Sequence, residues 1–82
     1  MGLDALTEQC AKVLDFVCEI HRVNPDSEVS GLQLQIELGL DAATVRLLTT
    51  RLVEGGLVEV DFLLANLWIR PTDLGLEVNK VT

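Results

Sequence analysis

The sequence is short of basic residues, short of aromatic residues, and without anything that could staple or anchor it. Six lysines and arginines stand against thirteen aspartates and glutamates, a formal net charge of −7 at pH 7. That balance excludes a chain that holds nucleic acid by bulk charge. Neutralising phosphates drives most non-specific affinity, and the global field here opposes it, so only a local patch could do so. Tyrosine is absent, and the aromatic side chains are Phe16, Phe62 and Trp68, so any core must be aliphatic. Cys10 and Cys18 would sit on one helix about 12 Å apart in rise, beyond the roughly 7 Å limit for a disulfide. There is no CxxC pair, and His21 is not at zinc-ligand spacing from both cysteines. No metal or cofactor is therefore expected, and Cys10 is expected in the core. No apolar run approaches the roughly 18 residues needed to span a bilayer. Met1-Gly2-Leu3-Asp4 has neither a basic n-region nor an apolar h-region. The expectation is a cytoplasmic protein with no membrane partner.

The residues that are present suit one globular domain over residues 1–82, with 49% hydrophobic and 23% charged residues. A chain of this size buries a little over about 60% of its unfolded surface. From Asp4 to about Val23, the positions Leu6, Cys10, Val13, Leu14, Val17 and Ile20 follow helical spacing, with Glu8, Lys12, Asp15, Glu19 and Arg22 on other faces. His21 and Arg22 suit the negative end of that helix's dipole. Asn24-Pro25-Asp26-Ser27 is turn chemistry and ends it. Glu28-Val29 suits a short strand, and Ser30 is a natural N-cap for a second helix.

The stretch from Leu32 to Arg70 organises the rest. Leu32–Leu38 and Ala42–Leu52 are apolar-periodic and are joined by Gly39-Leu40-Asp41, the grammar of a helix-turn-helix over about 30–54. Leu32, Leu34, Ile36 and Leu38 also satisfy a period of two. The helix is preferred because Gly39 and a capping Asp41 come next, and because Leu34 and Leu38 alone keep the helical period. Val45, Leu48, Thr49 and Leu52 form the inner face of the third helix. Gly55-Gly56 stops it, and residues 57–70 read as a two-stranded ribbon whose inner face is Val58, Val60 and Phe62. The expected fold class is α+β: a winged helix-turn-helix, with a three-helix core, a two-stranded wing that Glu28-Val29 would make three-stranded, and a short C-terminal helix carrying Leu74, Val78 and Val81.

Counted from Gly39, Leu34, Leu38, Leu40, Val45 and Leu48 resemble the apolar spacing of the classical helix-turn-helix family. Gln35 departs from it, standing where that family usually has a small residue at the helix crossing. Leu52 to Gly75 is similar to MarR-type regulators, in which a Gly-Leu-Val strand follows the recognition helix and a Thr-x-x-Gly step follows the wing, here Thr72 to Gly75. The resemblance implies a small DNA-binding transcriptional regulator that reads double-stranded DNA with its third helix as a homodimer. Arg46, Leu47, Thr50 and Arg51 would then read bases or phosphates. Ala42, Ala43 and Thr44 would lie on the backbone, and Arg70 would be a weaker phosphate contact. With three to four cations per protomer on that side, the log-affinity of a dimer should fall against log-salt with a slope of roughly −5 to −7.

Two departures point to a second reading. The expected hairpin tip, Asp61 to Asn66, carries no base, and the C-terminal stripe is short for a dimer helix. Phe62, Leu63, Leu64 and Trp68, with Leu47, could instead form an apolar docking surface, making the chain an acidic protein-protein interaction module that does not bind DNA. Trp68 either points outward beside Arg70 or covers the C-terminal helix. The sequence shows no glycine-rich phosphate loop, ligand cluster or nucleophile–base pair, so it is not expected to be an enzyme.

Overall fold

Two helices in the middle of the chain are fastened at their first turns by the residue ahead of each. Ser30 Oγ accepts from the Gln33 N–H at 3.0 Å, and Asp41 Oδ1 from the Thr44 N–H at 2.7 Å. Each bond satisfies a donor that the helix leaves unpaired at its start. Between them Gly39 adopts φ 65, and Leu40 donates to the Gln35 carbonyl at 3.1 Å. A residue with a β-carbon would be strained at that φ, which is why a glycine ends the first helix and turns the chain into the second.

The computed structural model describes residues 5–63 and 66–81. In chain order the elements are α1 (Ala5–Val23), β1 (Val29–Ser30), α2 (Gly31–Leu38), α3 (Ala42–Glu54), β2 (Val58–Leu63), β3 (Asn66–Pro71) and α4 (Asp73–Val81). The strands form one antiparallel sheet in the order β1-β3-β2, with Val29 opposite Ile69 and Val60 opposite Ile69 on its other side. This is an α+β winged helix with a three-stranded sheet. The segment 31–38, which also fitted a strand, is helical: Ser30 caps it, and Leu34 and Leu38, one turn apart, reach the core.

The core is aliphatic. Val13, Leu14, Val17 and Cys18 on α1 meet Leu34, Val45, Leu48 and Leu52 on α2 and α3, with Val29, Val58 and Ile69 from the sheet. Leu34, Leu48 and Ile69 are fully buried, each worth roughly 1.5–3 kcal/mol relative to exposure. The expected inner face of α3 is the buried one, Val45, Leu48, Thr49 and Leu52. Cys10 packs against this core, and burial pushes the Cys18 thiol pKa up.

One expectation needs correction. Phe62, read as the end of the inner strand face, is 72% exposed. Alternation puts it on the α3 side of the sheet, but among the described residues no side chain covers it there. On α4 the residues that reach inward are Gly75 and Leu76, while Leu74 and Val78 are exposed. Among the described residues, no helix is long and apolar enough to cross a membrane.

Candidate nucleic-acid interface

The outward side of α3 is set by its inward side. With Val45, Leu48, Thr49 and Leu52 committed to the core, Ala42, Ala43, Arg46, Leu47, Thr50 and Arg51 are exposed, and Thr44 is half-buried. Arg46 and Thr50 lie one turn apart, and the Thr50 hydroxyl donates to the Arg46 carbonyl at 2.8 Å. That bond uses the hydroxyl proton within the helix, so Thr50 offers its methyl group and an acceptor oxygen to anything that approaches. Hydrogen bonds from Thr44, through both its side chain and its backbone, hold the Asp41 carboxyl pKa below its ordinary value, so the cap stays ionised at neutral pH.

Around this face the structure shows apolar residues that sequence spacing did not single out. Leu32 and Ile36 on α2 are 55% and 71% exposed. The departure at the helix crossing is accommodated, for Gln35 lines an open cleft of about 360 Å³ with Leu32, Ala42, Val45 and Arg46. Gly31 closes the same cleft, where a β-carbon would come within 3.3 Å of Leu67. Periodicity could have found Leu32 and Ile36, since neither fits the inner face of α2.

Arg70 is placed elsewhere. Its Nη1 lies 2.6 Å from Glu28 and 3.2 Å from Asp61, and its Nε 3.8 Å from Glu59. The hydrogen bond to Glu28 is the main cause raising its pKa above the ordinary arginine value. Arg70, expected as a weaker phosphate contact, thus stands among three carboxylates gathered from beside β1 and from β2. The pairing was invisible in the sequence because Glu28 and Arg70 are 42 residues apart.

Of the four residues expected at a protein interface, the three described ones, Phe62, Leu63 and Trp68, are not one patch. Leu63 and Trp68 line a small cleft with Glu28 and Asp61 on the outer face of the sheet. Trp68 stands opposite Ser30 and Asp61, half-buried, with its Nε1 unpaired among the described residues. Phe62 has the opposite parity and lines a cleft against α3 with Thr50 and Val53. Leu64 lies outside the described residues.

A search of solved structures finds a MarR protein from Peptoclostridium difficile that superposes with a TM-score of 0.74 at 25% identity. The fold is a MarR-like winged helix. The match takes in 88% of this chain and 45% of the neighbour, so the MarR-like chain spans less than half the length of that protein. No family model matches the chain, and no curated protein sequence is significantly similar to it. In this MarR-like frame α2 and α3 are the helix-turn-helix, and β2 and β3 are the wing.

Proposed function

We propose that the chain is a small transcriptional regulator that meets double-stranded DNA through the exposed side of α3 and acts as a homodimer. The observation that carries this is the superposition on a MarR protein over 88% of the chain, with Arg46, Leu47, Thr50 and Arg51 on the exposed side of α3. Arg46 would reach a guanine edge or a phosphate, and the Thr50 methyl would suit a thymine methyl. Arg51 would serve as a backbone contact, with Ala42, Ala43 and Thr44 close to the duplex. One helix reads few base pairs, which is the reason for a dimer. The exposed Leu74 and Val78 on α4 are apolar surface that a partner subunit could cover. No catalytic step is part of this reading.

The test is titration of the labelled protein with mixed-sequence duplex DNA at about 50 mM salt, where phosphate contacts are strongly expressed. Amide shifts concentrated on Ala43 to Arg51, and lost in the Arg46→Ala, Arg51→Ala double variant, are expected. An absence of shifts at millimolar DNA would remove the reading.

A second reading, a protein-interaction module without DNA contact, draws on the wing. Phe62 and Leu63 are 72% and 61% exposed, and Arg70 is already paired with carboxylates. Partner binding that survives the double arginine substitution would favour it.

A further inference from the structure

We propose that the free edge of β2 takes up an extended segment of a different protein, one in which apolar and basic residues alternate. Among the described residues, the sheet order β1-β3-β2 gives β2 a neighbour on one side only. The ladder determines which backbone groups face the open side. The Thr72 N–H donates to the Leu57 carbonyl at 3.0 Å, which makes that pair a hydrogen-bonded one. Pro71, opposite Val58, has no N–H to give. Antiparallel strands alternate bonded and non-bonded pairs, so Glu59 and Asp61 direct their backbone groups to β3, while Val60 and Phe62 direct theirs outward.

The side chains on either side of that edge differ in chemistry. Val60 and Phe62 border a cleft of about 260 Å³ closed by Thr50 and Val53 of α3. With Phe62 72% and Val53 44% exposed, the cleft, which Arg46 and Glu54 also line, is a mainly apolar floor with no cover among the described residues. On the opposite face, Glu59, Asp61 and Glu28 share the single guanidinium of Arg70, leaving two carboxylate charges in excess. A strand added at this edge would alternate in the same way. Its residues on the α3 side would lie over Phe62 and Val53, and those on the other side would lie beside Glu59 and Asp61. Charge complementarity therefore selects apolar residues alternating with lysine or arginine.

A second copy of this chain is a poor occupant. Pairing β2 with itself would bring Glu59 and Asp61 against their own kind, between molecules of net charge −7, and like charges across strands are destabilising. Charges on an edge strand are a common guard against such self-pairing. The inference does not rest on α3 meeting DNA.

The test uses the full chain, isotopically labelled, and two synthetic peptides of one composition. The first is acetyl-Lys-Val-Arg-Val-Lys-Val-amide; the second has its three basic residues together and its three valines together. The alternating peptide is expected to shift the amides of Val60, Asp61 and Phe62 and to slow hydrogen exchange at Val60 and Phe62. Phe62→Lys should weaken it about tenfold, and Glu59→Gln with Asp61→Asn about fivefold. Glu8→Gln with Glu77→Gln, which changes net charge equally on α1 and α4, should leave binding as it was. Equal binding of both peptides, shifts spread over the whole acidic surface, equal weakening by the α1 and α4 substitutions, or no binding at millimolar peptide would overturn the proposal. Slowed exchange at Val60 and Phe62 in a dimer formed without peptide would assign the edge to a second copy and overturn it too.

Discussion

Gly75 lies directly against the carbonyl group of Leu57: a β-carbon built on it would overlap the Leu57 oxygen and come within 3.4 Å of Leu14. This is the physical content of the Thr-x-x-Gly step. The Thr72 hydroxyl donates to the Gly56 carbonyl at 2.6 Å and accepts from the Gly75 N–H at 3.0 Å. One threonine thus ties the turn after α3 to the first turn of α4.

Gly75→Ala is expected to destabilise the protein by at least about 2 kcal/mol, because a backbone carbonyl cannot swing aside as a side chain can. Gly39→Ala should cost only about 1 kcal/mol, the strain of a positive φ, since nothing lies within 4 Å of the added carbon. Urea unfolding of both variants measures the difference. Equal losses would contradict the close approach at Gly75.

Asp41 predicts a pH dependence. Its folded pKa lies below the ordinary 3.8, so its contribution is fully present above the unfolded value and is lost as pH falls through the folded one. The stability gap between the natural protein and Asp41→Ala should be constant from neutral pH down to about pH 5, and then close in acid. Asp41→Asn, which keeps a capping oxygen, should lie between them at neutral pH. Thermal melts from pH 7 to 3 track this directly.

Thr49 is 4% exposed, and its hydroxyl has no partner among the described residues. Thr49→Val replaces that hydroxyl by a methyl group of similar volume and should stabilise the fold by about 1 kcal/mol. A destabilised variant would mean that the hydroxyl is satisfied, for example by an ordered water.

The pairing of Arg70 alters the expected response to salt. With Arg46 and Arg51 as the two α3 cations in each protomer, a dimer on DNA should show a slope of about −4 in log-affinity against log-salt, shallower than the −5 to −7 expected when Arg70 is counted. Arg70→Gln should leave that slope unchanged while lowering the melting temperature, as Glu28, Glu59 and Asp61 lose their shared cation. A slope that falls with this substitution would return Arg70 to the DNA face.

The helix-turn-helix was legible because its determinants are local. Ser30 and Asp41 act three residues away, Gly39 acts through its own backbone, and the inner face of α3 is set by spacing alone. The features that escaped depend on distance or on length. The Arg70 cluster joins three separated parts of the chain, and no local pattern encodes it. Parity told which side of the sheet Phe62 faces, but not whether anything covers it there. Phe62 and Leu63 are adjacent in sequence, yet in the wing they fall on opposite faces.

The middle strand of the sheet is the last of the three to be made. Until β3 has been synthesised, β1 and β2 have no neighbour to pair with, and Glu28, Glu59 and Asp61 are without Arg70. The capped turns of α2 and α3 need only their own residues and can form while the chain is still leaving the ribosome. Closing the sheet must then be a late event, because its pairings join distant parts of the chain. A nascent chain halted within the hairpin would lose the whole sheet at once, and would present to the cell a helical pair beside a cluster of uncompensated carboxylates.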